Sequence, residues 1–339
     1  MNSTAVPIID PVINQPKYQQ LIDAILSGIE RGELTLGQQL PSITEWANGQ
    51  NLAKVTVAKA YEELRQRGVV RSQHGKGFYV ASTNIRTPLN VLMIFDTLNA
   101  YKETLYESLL ASLPPDTSVS MFFHHYNRNL FASLVRTHLG RYNAYAIIPH
   151  FEEDVSDILS RIPAENLLLL DHDVGGLSGS YAAVYQNFEA DVRSALEQGQ
   201  DRLRRYRQLT LVLARNHFQY VPEGILKGFR LFCREHELPG QVVDNYHDDL
   251  VQPGMALLLF SDRDLVAALK RMEETGLVPG RAVGLISYDD TPMKELLCGG
   301  ITVISTDFAE MGRTAGRLLT SRHRQKIANP GGLILRQSL

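Results

Sequence analysis

From residue 90 onward the chain returns repeatedly to short, mostly apolar runs. The first four are Val91-Leu92-Met93-Ile94-Phe95, Val119-Ser120-Met121-Phe122-Phe123, Tyr145-Ala146-Ile147-Ile148 and Leu167-Leu168-Leu169-Leu170. A second set comprises Leu209-Thr210-Leu211-Val212-Leu213, Val242-Val243, Ala256-Leu257-Leu258-Leu259-Phe260 and Val283-Gly284-Leu285-Ile286. Such runs are too short for core helices and mostly lack the apolar/polar alternation of a half-exposed strand, so they read as strands covered on both faces. Amphipathic stretches near 101 to 113, 127 to 139 and 152 to 160, then 188 to 206, 222 to 236, 262 to 275 and 307 to 320, supply the covering helices. The β-then-α rhythm predicts an α/β part at 90–339 made of two doubly wound lobes. Open sheets of this kind take ligands beyond the carboxyl ends of their strands, so two lobes imply a cleft.

The first eighty residues follow another pattern. Tyr18, Leu21, Ile22, Ile25, Leu26 and Ile29 mark one amphipathic helix ending near Gly32. A second starts at Leu40-Pro41-Ser42, where Ser42 as N-cap and Glu45 three residues on make a capping box. In a third, Val57, Ala60, Tyr61 and Leu64 form one buried stripe and Gly68 supplies the stop. Val69-Val70-Arg71 and Gly77-Phe78-Tyr79-Val80 then read as strands joined by Ser72-Gln73-His74-Gly75-Lys76, whose glycine suits a tight turn. Three helices followed by a two-stranded wing describe a winged helix-turn-helix, whose third helix enters the DNA major groove. Residues 1–81 form this domain and residues 82–89 a polar linker closed by Pro88.

Charge supports that reading. Residues 50 to 81 hold six Lys or Arg against two acids, whereas the whole chain has a formal charge of -3. A local positive footprint gains from counterion release on phosphates whatever the charge of the attached domain.

Residues 13 to 81 resemble the DNA-binding domain of the GntR family of bacterial transcriptional regulators. The resemblance runs through Tyr18 to Ile22, the Gly28 and Gly32 region with Gly37, Leu40-Pro41-Ser42, Thr56 to Tyr61 with Leu64 and Gly68, and Gly75-Lys76-Gly77 before Val80. It implies that Ser42 and Thr44 approach the DNA backbone, that Lys54, Thr56 and Lys59 face the major groove, and that Gln73, His74, Gly75 and Lys76 make the wing contact. Many family members carry Arg at the positions of Thr44 and Ala58, so base readout at those two places differs here.

Residues 89 to 339 resemble the effector domain of LacI-type regulators, itself similar to periplasmic sugar-binding proteins, and the pairing with a GntR head resembles the arabinose repressors. The segments are Glu223 to Phe229, Ser261-Asp262-Arg263, Gly284 to Asp290, Ile301-Thr302-Val303, Asp307 to Leu319 and Leu333 to Ser338. The resemblance implies effector contacts from Asp289, Ser261, Asp262 and Asp171, with His125 near a place where relatives have Arg. Asp96, Thr97, Tyr101, His150 and His217 are polar strand-end residues that could line the cleft, cap a helix or serve in a loop. Ile225 replaces a basic residue of many relatives, so contacts in that lobe differ.

A ligand-controlled regulator, an enzyme and a transport-type binding protein compete as functional classes. The head favours the first, and no Schiff-base lysine or longer catalytic domain can be placed. No signal-peptide pattern or long apolar span occurs, and Cys233 and Cys298 suggest buried small hydrophobes rather than a disulfide framework, so a cytoplasmic chain without membrane contact is expected. The histidines lack the compact spacing of a structural zinc site, so neither metal nor cofactor is expected. The expected partners are operator DNA, a second copy in a homodimer and a small sugar effector. Carboxylates at Asp171, Asp262 and Asp289 favour a neutral monosaccharide, such as the pentose arabinose or the deoxyhexose fucose, over a sugar phosphate or nucleoside.

Overall fold

A computed structural model describes residues 16–83, 88–214, 220–321 and 324–339. Its contacts divide the chain into two units: residues 1–90 with 116–118 and 136–143, and the remaining residues.

The first unit begins with α1 (Lys17–Glu30), β1 (Gln39–Leu40), α2 (Ile43–Gly49) and α3 (Lys54–Gln66), followed by β2 (Val70–Gln73) and β3 (Gly77–Val80). The two amphipathic stripes and the strands close on one core of Leu21, Ile22, Ile25, Trp46, Val57, Tyr61, Leu64 and Val80. Tyr61 of α3 is fully buried, packs 4.4 Å from the Phe78 ring, and donates its hydroxyl to Pro41 O. The capping box forms in both directions: Glu45 N donates to Ser42 Oγ at 3.2 Å and Ser42 N to Glu45 Oε2 at 2.6 Å. In the wing, Gln73 pairs with Gly77 and the chain turns through His74-Gly75-Lys76, with Gly75 at φ +71° and Gly77 at +103°. Both glycines sit in the left-handed region, where a Cβ is disfavoured. β1 was not foreseen; it pairs antiparallel with β3 and turns the hairpin into a three-stranded sheet of order β1-β3-β2.

In the second part, β4 (Asn90–Phe95), α4 (Ala100–Ala111), β5 (Ser118–Phe123), α5 (Arg128–His138), β6 (Ala144–Ile147), α6 (Ser156–Leu159), β7 (Leu167–Asp171) and β8 (Ala182–Tyr185) build one lobe. The second lobe takes α7 (Phe188–Gln198), α8 (Gln200–Leu203), β9 (Gln208–Val212), α9 (Glu223–Glu235), β10 (Gly240–Val243), β11 (Met255–Leu259), α10 (Asp262–Thr275), β12 (Gly284–Tyr288), α11 (Pro292–Leu296) and β13 (Thr302–Thr306). The chain then returns through α12 (Phe308–Ser321) and β14 (Lys326–Ala328) to the first lobe, and ends with β15 (Gly331–Ile334) in the second. The sheets are six-stranded, in orders β14-β8-β7-β6-β4-β5 and β10-β9-β11-β12-β13-β15, and the last pair is antiparallel.

All eight apolar runs became strands. The expected helix over 188 to 206 is broken at Gly199 into α7 and α8, and that over 152 to 160 shrinks to the single turn of α6. Cys298 departs from the expectation for both cysteines: it is exposed on a turn at φ +51°, whereas Cys233 is buried and its thiol is pushed up to about 11 by burial.

α12 lies against α4 so closely that a Cβ on Gly312 would stand 2.4 Å from Leu105 O and one on Gly316 2.5 Å from Ser108's neighbour on the next turn, the Ser112 Cβ. Gly312→Ala must push the two helices apart, and is expected to lower stability by about 2 kcal/mol, read as a lower urea midpoint.

Candidate ligand cleft and nucleic-acid interface

The carboxyl ends of the strands carry the unusual backbone. His125 and Tyr126 after β5, Asp171 ending β7, Ala214 after β9 and Asp289 after β12 all have positive φ, between +48° and +69°. Such angles are costly for residues with a side chain and persist where surrounding structure holds them, often around ligands.

Around them sits a buried ionic cluster. His150, at the end of the segment following β6, places Nδ1 2.9 Å from Asp96 Oδ2 and Nε2 2.9 Å from Asp171 Oδ2. The Lys102 ammonium takes the other Asp96 oxygen, and the Gln186 amide donates to Asp171 Oδ1. Burial pushes the His150 imidazolium down, but the two carboxylates outweigh it and raise the group to about 9. Burial likewise pushes Asp96 and Asp171 up, and His150 with Lys102 reverses it, so both stay ionised. Two cations therefore balance two anions in a site with almost no water, the condition under which buried charge is tolerable.

Asp289 is different. Its Oδ1 is buried and has no hydrogen-bond partner among the described residues. Burial, then repulsion from Asp171, raises its carboxyl to about 7 against the pull of Lys294 and Lys102. The Lys294 ammonium does not reach that carboxylate for a hydrogen bond; it donates to the carbonyls of Tyr288 at 2.8 Å and Asp289 at 2.7 Å. Tyr101 stacks on Phe308 at 4.5 Å, and its phenol is held well above the usual range by burial, then by Asp289, Asp171 and Asp96. Tyr101 also lines an opening of about 450 Å³ with Thr104, Asp290, Thr306 and Phe308 beside the lobe crossovers.

The structure thus gathers Asp96, Tyr101, His150, Asp171 and Asp289 in one place. Thr97 sits at its edge, with its N–H donating to Asp96 Oδ1 at 2.7 Å. Ser261 caps α10, accepting from the N–H of Arg263 and Asp264, and the exposed Asp262 pairs with Lys294 Nζ at 2.8 Å, so both are occupied structurally. His125 is exposed. Its neighbour His124 lies beneath, donating Nε2–H to Ile148 O at 3.0 Å and accepting Tyr126 N–H at Nδ1, and burial lowers it to about 4. His217 lies outside the described residues. In the Tyr-Asp-Asp segment the second acid, Asp290, is held by both Arg336 nitrogens at 2.8 and 2.7 Å.

Sequence reasoning missed Lys102, Tyr126, Gln186, Tyr220 and Lys294. Tyr220 stacks on His150 at 4.9 Å, bringing the second lobe onto the cluster. Lys102 had a signal: it shares a helical stripe with the buried Leu105 and Leu109, a place where an unpaired lysine would be costly. Among the described residues the one grouping with metal-ligand spacing is Glu197, Glu235 and His236, and Arg193 already pairs with both of its acids.

In the first unit, Ser42, Thr44, Lys54, Lys59, Gln73, His74, Gly75 and Lys76 are exposed and Thr56 is half-buried. Arg65 and Arg67 pair along the helix with Glu62 and Glu63. The basic footprint therefore narrows to Lys54, Lys59, Arg71 and Lys76. Lys59 Nζ rests 3.7 Å over the Tyr18 ring. The wing tip is braced, since Lys76 O accepts from Gln39 Nε2 at 2.7 Å and from the Tyr79 hydroxyl at 3.1 Å.

A helix-turn-helix with a braced wing and a two-lobed α/β unit with a polar cleft define the class: a DNA-binding head joined to a ligand-binding domain. Residues 17–80 match the gntR family of bacterial regulatory proteins and residues 202–339 the periplasmic binding protein-like domain. The chain carries a GntR-type helix-turn-helix domain followed by a periplasmic-binding-protein-like domain. Among curated relatives, it is 38% identical over 74 residues to the HTH-type transcriptional repressor STM4068 of Salmonella typhimurium, covering 22% of this chain and 31% of that one. With the HTH-type transcriptional repressor YtrA of Bacillus subtilis it shares 36% over 81 residues, 24% of this chain and 62% of the relative. The chain thus spans between about a third and three fifths of those relatives' length. The trehalose repressor from Escherichia coli superposes with a TM-score of 0.61 at 18% identity, over 73% of this chain and all of that chain, which shows a shared fold.

Proposed function

We propose that this chain is a ligand-controlled transcriptional regulator, not an enzyme, in which residues 1–81 grip operator DNA, residues 82–89 connect, and residues 90–339 bind a small polyhydroxylated effector. The observation carrying the effector reading is the Asp289 carboxylate, whose Oδ1 is buried without a hydrogen-bond partner among the described residues, close enough to Asp171 to feel its charge and to Tyr101 to act on its phenol. A sugar hydroxyl pair supplies the donors such an oxygen lacks, and an analogue without them leaves it unpaired. Among the described residues, Lys102, Lys294 and His150 already have acceptors, which favours a neutral monosaccharide, a pentose or deoxyhexose, over a sugar phosphate. The ionic contacts of His150 with Asp96 and Asp171 also argue against a general base, since an imidazolium held between two carboxylates has no free lone pair.

Effector binding closes or reopens the lobes and changes the spacing of two heads in a homodimer on paired half-sites. The name and fold of the relatives support a cytoplasmic repressor, and no described helix is long and apolar enough to cross a membrane. A thermal-shift screen of neutral sugars, sugar phosphates and nucleosides tests the effector class, because a ligand raises the melting point with its concentration over Kd. Stabilisation by phosphorylated compounds alone would overturn the neutral-sugar reading.

The grip makes its own prediction. Lys54→Ala and Lys76→Ala are each expected to weaken operator and unrelated DNA alike, and to reduce the salt slope of binding by about 1. An unchanged slope in both variants would remove these lysines from the interface.

A further inference from the structure

Among the described residues of the head, two large apolar side chains stand exposed outside its core: Leu36, 66% exposed in the turn before β1, and Val55, the one of the two on a helix. Val55 is 79% exposed in the first turn of α3. At about 100° per residue it lies roughly 170° from the centre of the buried Val57, Ala60, Tyr61 and Leu64 stripe, on the outward face shared with Lys59. A β-branched residue there adds nothing to helix stability. The neighbouring Lys54 and Lys59, together with Lys76 on the wing, give the surroundings the charge that a phosphate backbone complements. N-terminal residues of such a helix are those that reach base edges, and in the major groove the one apolar feature offered by an unmodified base is the thymine 5-methyl group.

We infer that Val55 reads a thymine methyl in each operator half-site, and so sets base preference where Thr44 and Ala58 provide no arginine. This rests on the DNA-binding reading above. The test begins by selecting the preferred duplex from random DNA with the full chain, then replaces each thymine in turn by deoxyuridine, which keeps every hydrogen-bonding group and lacks only the methyl. Wild-type affinity is expected to fall about three- to tenfold at one position per half-site. Val55→Ala should bind thymine and deoxyuridine duplexes equally, and Val55→Ile should restore the difference. Because the side chain is exposed, neither variant disturbs the core. Insensitivity of the wild type at every position, or full sensitivity retained by Val55→Ala, overturns the assignment while leaving DNA binding intact. Failure to select any preferred sequence overturns the DNA-binding reading and this one with it.

Discussion

Replacing His150 with alanine is expected to lower the stability of the two-lobed domain by about 3 to 5 kcal/mol, the usual cost of removing one partner from a buried ion pair. Lys102 continues to balance Asp96, so the uncompensated charge falls mainly on Asp171, left with the Gln186 amide. The loss should depend on pH. His150 has an ordinary value of 6.5 raised to about 9 in the fold, so its contribution is complete below pH 6.5 and disappears as pH rises through 9. Asp96 and Asp171 are lowered from 3.8, so theirs is complete above that value and disappears as pH falls further. Thermal unfolding of wild type and variant between pH 5 and about 10 should therefore converge at the alkaline end. Parallel curves would mean that His150 is not held as an imidazolium between the two acids.

Asp289→Asn should do the opposite to stability and more to function. The carboxyl is raised from 3.8 to about 7, so its stabilising contribution belongs to the protonated form and is lost as pH rises through 7. The amide removes that penalty. At pH 8 the variant is expected to gain about 2 kcal/mol, or roughly 5 °C, with the difference gone near pH 4. It should also bind the effector about ten- to a hundredfold more weakly, because a charge-assisted hydrogen bond becomes a neutral one. A more stable protein with a poorer ligand is the expected signature of a site that stores strain for binding. A variant that is both less stable and unimpaired in binding would make Asp289 a structural residue.

These two residues also mark how far the sequence could be read. Asp289 and Asp171 were singled out by the resemblance to LacI-type effector domains, and each also follows an apolar run, where a strand ends. His150 was visible only as one polar residue among several, since its meaning comes from Asp96, which lies 54 positions away along the chain. The strands at Leu167 and Ala256 were legible because sheets covered on both faces need unbroken apolar runs. β14 and β15, Lys326-Ile327-Ala328 and Gly331-Gly332-Leu333-Ile334, lie at sheet edges, where packing demands less and composition says little. In the head, the capping box and the wing glycines act locally, so spacing alone located them. The pairing of Arg65 and Arg67 with adjacent glutamates was equally local, and it reduces the basic surface to four residues that spacing had not separated from the rest.

The most direct test of the account is operator affinity as a function of ligand. Fluorescence anisotropy of the full chain on its selected duplex, titrated with the compounds that raise its melting point, should show at least one neutral sugar shifting Kd by about fivefold or more. The same titration with Asp289→Asn should need correspondingly more sugar while DNA affinity without ligand stays unchanged. A stabilising ligand that leaves operator affinity unmoved at saturation would contradict the claim that the cleft governs the head.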